Sequence, residues 1–577
     1  MKKWKWFYIP VFIVWAAIIW IIVQFYVIHL WNSDAIFQSY SVTTIRIFLV
    51  FTAFWTILGW TIGFCNLYTI IFSHLTRRSI TRELVRLRVN AKMPEKLPKV
   101  LVLYPTRNDF VPNVLLQSMK QEYKNYEFYI LDDSDDLVFI KRIDEFAKKH
   151  NVKVVRRNIH DNKAGNINHF FRNLPGGANK YQWDYFAILD ADIVAPKNFL
   201  SDSIPLFYST QKKLGYIQTF QTGYKTNSVY QNIRMPNYEA GFHLNFFQNR
   251  ITQPLCLGRG VIISKKCFAD IGYAFPNFVS EDVALSFEVI SKGWTSIISN
   301  LVTCGNMSQV NYVNEKKLMV RMDYANITLV ERKWRKIFRM KSLFNAKVFF
   351  SIRFIYEISA ITPSFFSFVN TCVFVALNFH QSTSQFLLFG TIIFAIVPFL
   401  NDILCYVGRM NIFAFVIYAI VTGISLSAMF YSRIEAWVLK VIFRKKAFFW
   451  VSPKHKHKIS FIRNLIHNRR ELIAMSCMIL FSILAYFYIL TPATQNEKWW
   501  IIPNFLYMPL WFQAFFVINF CQFLSIFMTL IVNIRPDKNN ETFNTNSNIQ
   551  PIKYLKMDRV INSELAKHHL QSTRKAS

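Results

Sequence analysis

Tyr185-Phe186-Ala187-Ile188-Leu189-Asp190-Ala191-Asp192 reads as an apolar strand running straight into two carboxylates one residue apart. Alternate residues of an extended chain point the same way, so Asp190 and Asp192 can offer hard oxygen ligands to one cation. Mg2+ or Mn2+ held there would keep a nucleotide diphosphate as a further ligand and offset charge on a leaving diphosphate. A solvated loop carries the same triplet, so its weight comes from its surroundings. Three apolar runs precede it, at 99–103, 127–131 and 152–155, each ending in a polar loop and separated by helical patterns. Strands alternating with helices imply a mostly parallel sheet covered by helices. Ligands of such sheets bind beyond the carboxyl ends of the strands, where Asp190-Ala191-Asp192 and Asp132-Asp133-Ser134 both fall.

Further landmarks stand in order around this stretch. Pro105-Thr106-Arg107-Asn108-Asp109 follows the first strand. Asp132 and Asp133 can accept hydrogen bonds from a base or ribose or bind the same metal, though Asp and Ser also favour turns. Lys163-Ala164-Gly165-Asn166 places a cation and a permissive glycine where a helix begins, which suits phosphate or base approach and also suits an ordinary loop. Ser280-Glu281-Asp282 precedes an amphipathic segment, 283–292. A carboxylate there can be a helix charge partner, or the general base that takes a proton from an acceptor hydroxyl.

The chain has 577 residues, more than one compact core usually holds. It is 53% hydrophobic and contains 57 Phe. Residues 7–33, 47–76, 358–401, 411–432, 472–496 and 499–534 carry no Asp, Glu, Lys or Arg. A helix needs roughly 20 apolar residues to cross the hydrocarbon, and in lipid the backbone must bond to itself. Crossings are therefore expected at about 7–31, 46–73, 354–378, 385–407, 472–491 and 499–533. The segment 411–447 is read as interfacial or re-entrant. The basic run behind it and the 95–340 domain both belong in the cytosol, so an even number of crossings separates them. The formal charge of +33 is clustered beside the apolar stretches. That is the positive-inside pattern with attraction to anionic headgroups, so membrane lipid, and no nucleic acid, is the expected partner. The eight cysteines show no metal-like spacing and imply no disulfide framework. Four domains follow: 1–94 with two spans and a basic linker, a cytosolic domain 95–340, a membrane region 341–535, and a tail 536–577 expected to be disordered.

In this order and spacing the landmarks resemble processive, membrane-embedded family 2 glycosyltransferases, the group of bacterial cellulose synthase, hyaluronan synthase and β-1,2-glucan synthase, over about 95–535. The resemblance implies an α/β GT-A-type cytosolic domain inserted in an α-helical transmembrane bundle of about six spans. It implies a UDP-sugar donor held by Thr106, Asp109 (where Glu is usual), Asp132, Asp133, Lys163, Asn166 and Asp190, with Mg2+ or Mn2+ at Asp190 and Asp192. Cys256-Leu257-Gly258-Arg259-Gly260 resembles the acceptor-side glycine loop, and Ser280-Glu281-Asp282 the T-E-D motif. Asp282 is then the base, with Gly258 and Glu281 beside the acceptor. Val330-Glu331-Arg332-Lys333-Trp334 is matched to Q-x-x-R-W, with Trp334 stacking on the acceptor sugar and Lys333 replacing Arg, which loses the bidentate fork. Phe449-Trp450-Val451-Ser452-Pro453-Lys454 is matched to the F-x-V-T-x-K gating loop, so Phe449, Val451, Ser452 and Lys454 would close over the diphosphate. The implied function is a plasma-membrane polysaccharide synthase that uses UDP-glucose with inversion and moves a β-glycan across the bilayer. The alternative adds one sugar to a polyprenyl phosphate or membrane lipid. A transporter with a nucleotide-sensing domain would require ionisable residues inside the spans; Glu357 and Asp402 lie only near span ends.

Overall fold

The computed structural model describes residues 7–24, 42–157, 162–209, 213–226, 228–251, 254–340, 344–359, 397, 399–445, 461–490, 551–553 and 557–576. Its centre is an eight-stranded sheet of β1 (Val100–Thr106), β2 (Tyr126–Asp132), β3 (Lys153–Arg156), β4 (Tyr185–Ile188), β5 (Ile193–Val194), β6 (Leu214–Gly223), β7 (Val261–Ser264) and β8 (Thr295–Asn306), in the order β3-β2-β1-β4-β7-β6-β8-β5. All four strands expected from the sequence are present within three residues at each end. β3, β2, β1 and β4 are parallel, and so are β6 and β8. The pairs β4–β7, β6–β7 and β5–β8 are antiparallel, so the sheet is mixed, with four of its seven pairings parallel as expected. The reversal matters for the site. β7 starts at the edge where β4 ends, so the glycine loop 256–260 lies beside Asp190, and the Gly260 N–H donates to the Ile188 carbonyl at 2.8 Å.

β1 is buried along its whole length, as a strand covered on both faces must be. One face packs Tyr104, Phe110, Ile130, Leu189 and Phe199. The other packs Leu131, Phe170, Phe171, Phe186 and Phe268. Each fully buried side chain of this size stabilises the fold by roughly 1.5–3 kcal/mol.

A single 48-residue helix, Val42–Val89, covers the expected second span and continues unbroken through the basic run after it. The run expected to be a linker is therefore helical. Its Ile80 and Leu84 pack with Leu206, Ile217, Phe242 and Phe246 of the α/β domain. Glu83 pairs with Arg250 at 2.5 Å, and the Arg88 Nε donates to Asp202 at 2.7 Å.

The helix Tyr312–Arg339 leaves the sheet and meets Phe430–Val441, where Arg433 forks onto Asp323 at 2.7 and 2.8 Å. The segment read as interfacial or re-entrant forms the helices Ile412–Ala428 and Phe430–Val441. The first buries Tyr418, Thr422 and Ser425 and exposes Phe413, Ile417 and Ile420. Among the described residues no helix is long and apolar enough to cross a membrane. The expected spans 354–378, 385–407 and 499–533 fall mainly outside the described residues, and the gating loop 447–458 falls wholly outside them. Two parts of the tail are described. Residues 551–553 pair with the end of β6, and Asp558–Ala576 is a helix whose buried Glu564 meets Arg86 at 3.2 Å.

Candidate active site

At the carboxyl end of the sheet a cleft of about 340 Å³ gathers residues from ten separate stretches of chain. Thr106 and Asp109 line it first. The Thr106 hydroxyl and the Arg107 N–H both donate to Asp109 Oδ1, at 2.9 and 2.8 Å, which turns the chain sharply after β1. Asn108 takes φ 54° there, a left-handed conformation Asn tolerates better than most residues. Asp133 also lines the cleft and is nearly fully buried. Arg157 grips it with Nε at 3.0 Å and Nη2 at 2.8 Å, a paired fork that keeps a buried carboxylate tolerable. Asp132 does not reach the cleft. It is fully buried beneath it, accepting from Arg156 Nε at 2.7 Å and from the Ser134 N–H at 2.9 Å. Its place is to shape the loop beneath the cleft rather than to line it.

Lys163 and Asn166 open the helix Lys163–Arg172, capped by Asn162, whose side chain accepts from the Gly165 N–H. Asn166 donates to the Leu131 carbonyl at 2.8 Å and so ties this helix to β2. Lys163 reaches Asp190 Oδ1 at 2.5 Å, the Gly258 carbonyl at 2.6 Å and Glu281 at 3.9 Å. Burial pulls the Lys163 pKa down, but Asp190 and Glu281 outweigh it and hold the ammonium above its ordinary range. Asp190 and Asp192 both line the cleft, the second almost fully buried. Asp190, Glu281 and a backbone carbonyl thus already cradle one cation, the ammonium, with oxygen alone. Hard oxygen donors of this kind are what Mg2+ and Mn2+ take, so the residues present fit a divalent ion at Asp190 and Asp192.

Opposite stand Glu281 and Asp282, the first residues of the helix Glu281–Ser291. Burial, then the neighbouring Asp282 charge, pushes Glu281 up to about 7, with Lys163 opposing. Burial also raises Asp282, against the Val283 N–H, Lys163 and Arg259. Gly258, at φ +71°, presses against this carboxylate: a Cβ there would stand 3.1 Å from Asp282 Cβ and 3.3 Å from its Oδ2. Gln218 and Gln221 donate to the Arg259 carbonyl at 2.9 and 2.8 Å and fix the loop.

The fourth wall is the helix Tyr312–Arg339, but not the part expected. It offers Leu318, Arg321, Met322, Ala325 and Asn326 to the cleft, positions spaced for one helical face. Lys333 and Trp334 lie further along and do not line it. Lys333 is paired with Glu288, and Trp334 is 46% exposed with the Arg335 guanidinium over its ring. The cation that this helix brings to the cleft is Arg321 rather than Lys333. A helical face repeating every three to four residues is the signal that groups it with Leu318, Met322 and Ala325.

Residues 101–272 match the family model Glycosyl transferase family 2. The chain carries a family 2 glycosyltransferase domain. The domain has the GT-A-like α/β fold, with its sheet mixed. It is 29% identical over 147 residues to the UDP-forming catalytic chain of a cellulose synthase of Dictyostelium discoideum, covering 25% of this chain and 13% of that one. It is 21% identical over 248 residues to a poly-beta-1,6-N-acetyl-D-glucosamine synthase of Staphylococcus epidermidis, covering 42% and 56%. The matches thus span less than two thirds of either relative. Among solved structures, a mannosyltransferase from Pyrobaculum calidifontis in complex with GDP-Man and Mn2+ superposes with TM-score 0.37 at 14% identity, covering 66% of this chain and 99% of that one.

Among the described residues one group of three metal-type ligand atoms closes within 4.8 Å, and it lies outside the cleft: His74, His243 and Cys405. Arg77 Nη1 donates to His243 Nε2 at 3.0 Å, and a guanidinium in that place repels a second cation.

Proposed function

We propose that the protein is an inverting glycosyltransferase that passes a sugar, UDP-glucose being the first donor to test, from a nucleoside diphosphate to the end of a growing β-glycan. The observation that carries this is the meeting of Thr106, Asp133, Lys163, Asp190, Asp192 and Asp282 on one cleft. Asp109, Asp133 and Asn166 border the nucleotide, and Lys163 lies within reach of the diphosphate. Asp190 and Asp192 would hold Mg2+ or Mn2+, which supplies positive charge to the leaving UDP. Asp282 takes the acceptor's hydroxyl proton. The freed oxygen attacks the anomeric carbon from the face opposite the nucleotide, the bond to the UDP oxygen breaks, and UDP leaves with the electron pair. Burial raises the Asp282 carboxyl, which makes it a stronger base than an exposed aspartate. The relatives named for cellulose and poly-N-acetylglucosamine synthesis support a glycan product. The long uncharged stretches support a multi-pass plasma-membrane protein with this domain in the cytosol, passing its product through the bilayer.

A second reading, transfer of one sugar to a polyprenyl phosphate or membrane lipid, is favoured by one observation. No Phe, Tyr, Trp or His lines the cleft among the described residues, and Leu255, Leu257, Leu318 and Met322 do. Sugar faces stack on aromatic rings, whereas hydrocarbon does not require them. The test is to incubate detergent-purified protein with Mn2+ and each UDP-sugar, following UDP release and product size. A glycan ladder supports synthesis of a polymer, and a single glycolipid supports the second reading. No UDP release with any donor, lipid or glycan primer would overturn both.

A further inference from the structure

Two tyrosine hydroxyls hold the backbone of the Asp190-Ala191-Asp192 loop. Tyr104 Oη donates to the Ala191 carbonyl at 3.0 Å, and Tyr224 Oη donates to the Asp192 carbonyl at 3.3 Å. Both rings are buried. Tyr104 belongs to β1 and is fixed by the sheet. Tyr224 stands one residue past β6, where its neighbour is the far end of the chain. It forms an isolated antiparallel bridge with Pro551. The Ile552 N–H donates to the Gly223 carbonyl at 2.9 Å, and the Ile552 carbonyl accepts from the Thr222 hydroxyl.

The packing around this contact leaves no slack. A Cβ on Gly305 would lie 3.0 Å from Tyr224 Cδ1 and 3.5 Å from Pro551 Cγ. Gly305 in turn pairs with Val194 on β5, the two-residue strand that begins directly after Asp192. The end of the chain, Tyr224, the end of β8 and the aspartate loop are thus successive layers of one stack. Beyond it the helix Asp558–Ala576 is tied to Val42–Val89 through Glu564 and Arg86.

We propose that Tyr224 is a positioning residue for the metal-binding loop, locked by the C-terminal segment 551–553, so that docking of this segment sets how tightly Asp190 and Asp192 hold a divalent cation. The inference rests on the reading of those two aspartates as metal ligands. Divalent ions such as Mg2+ demand near-ideal ligand geometry, and the groups that orient ligands from behind govern affinity nearly as much as the ligands themselves. A loop freed from its second tether would have to be ordered at the moment of binding, at a cost in entropy.

The experiment is Mn2+ binding to the full-length chain in detergent with UDP present, read from loss of the free-ion EPR signal. Metal-free UDP affinity and the thermal midpoint are measured alongside. The variants are Tyr224→Phe, which removes one hydroxyl and keeps the ring, Ile552→Pro, which removes the N–H given to Gly223, and the two combined. Each single change is expected to weaken Mn2+ binding by about 3- to 10-fold and to leave metal-free UDP binding within about twofold. The double variant should add little, because both act through one contact. Mn2+ affinity unchanged in both singles overturns the proposal. So does a parallel fall of Mn2+ affinity, UDP affinity and thermal midpoint, which is the mark of general loosening. Asp192→Asn separates the two ideas: if it binds Mn2+ like the unaltered chain, the metal assignment itself is wrong, whatever Tyr224 does.

Discussion

Glu281 and Asp282 are adjacent carboxylates on the wall of the cleft, and burial pushes both toward protonation. Two such groups titrate as a pair. Glu281 moves from an ordinary 4.5 to about 7 on folding, chiefly through burial. The folded chain therefore holds an extra proton between those values. Stability from this group is complete below about 4.5 and is lost as the pH rises through about 7. Thermal midpoints measured without metal between pH 4 and pH 8 should fall across that window, and Glu281→Gln should flatten the fall. An unaltered slope in the variant would mean that Glu281 is solvated. Asp282→Asn tests the chemistry itself. It should cut turnover by about 10²- to 10⁴-fold, the usual worth of a general base, while UDP binding stays nearly intact.

At the scale of elements, the strands and the loops at their ends were legible because buried parallel strands are continuous apolar runs that stop in polar turns. Asp133, Asp190 and Asp192 could be placed on one edge from that alone, whereas Thr106, Lys163 and Asn166 joined them only through the family resemblance. Asp132 could not be separated from Asp133, since neighbours in a turn differ only in which way each side chain faces. Arg156 pulls one down while Arg157 holds the other at the rim. The helix Tyr312–Arg339 was misread for a similar reason: 28 residues present the same face many times, and composition does not say which turn borders the cleft. Alanine substitutions distinguish the registers. Arg321→Ala should reduce turnover by about tenfold or more, as expected for a charged group lost from a water-poor site. Trp334→Ala should stay within about twofold, since its ring is turned toward solvent. Rates of UDP release decide it, and the reverse ranking would restore Trp334 to the acceptor.

For the whole molecule, the α/β domain and the apolar helices are joined by rigid elements and buried ion pairs. The helix Val42–Val89 enters the domain without a break, and the buried Arg234, paired with Glu315 at 2.5 Å, also donates to the Thr422 hydroxyl of Ile412–Ala428. Lys316 ties in a further helix. From the face of Tyr312–Arg339 turned away from the cleft it binds Glu471 at 2.6 Å, Asn468 Oδ1 at 2.8 Å and the His467 carbonyl at 3.1 Å, at the start of the helix Arg469–Leu490. Both charged side chains are about nine-tenths buried. Replacing a buried pair with apolar groups is often nearly neutral, but removing one partner strands the other charge and costs about 3–5 kcal/mol. Lys316→Met alone should therefore lower the thermal midpoint in detergent markedly, whereas Lys316→Met with Glu471→Leu should recover most of it. UDP affinity should hold within about twofold in both, because neither residue lines the cleft. Equal midpoints for the single and double variants would show that water reaches Glu471, and the helix Arg469–Leu490 would then be held to the transferase domain by packing rather than by charge.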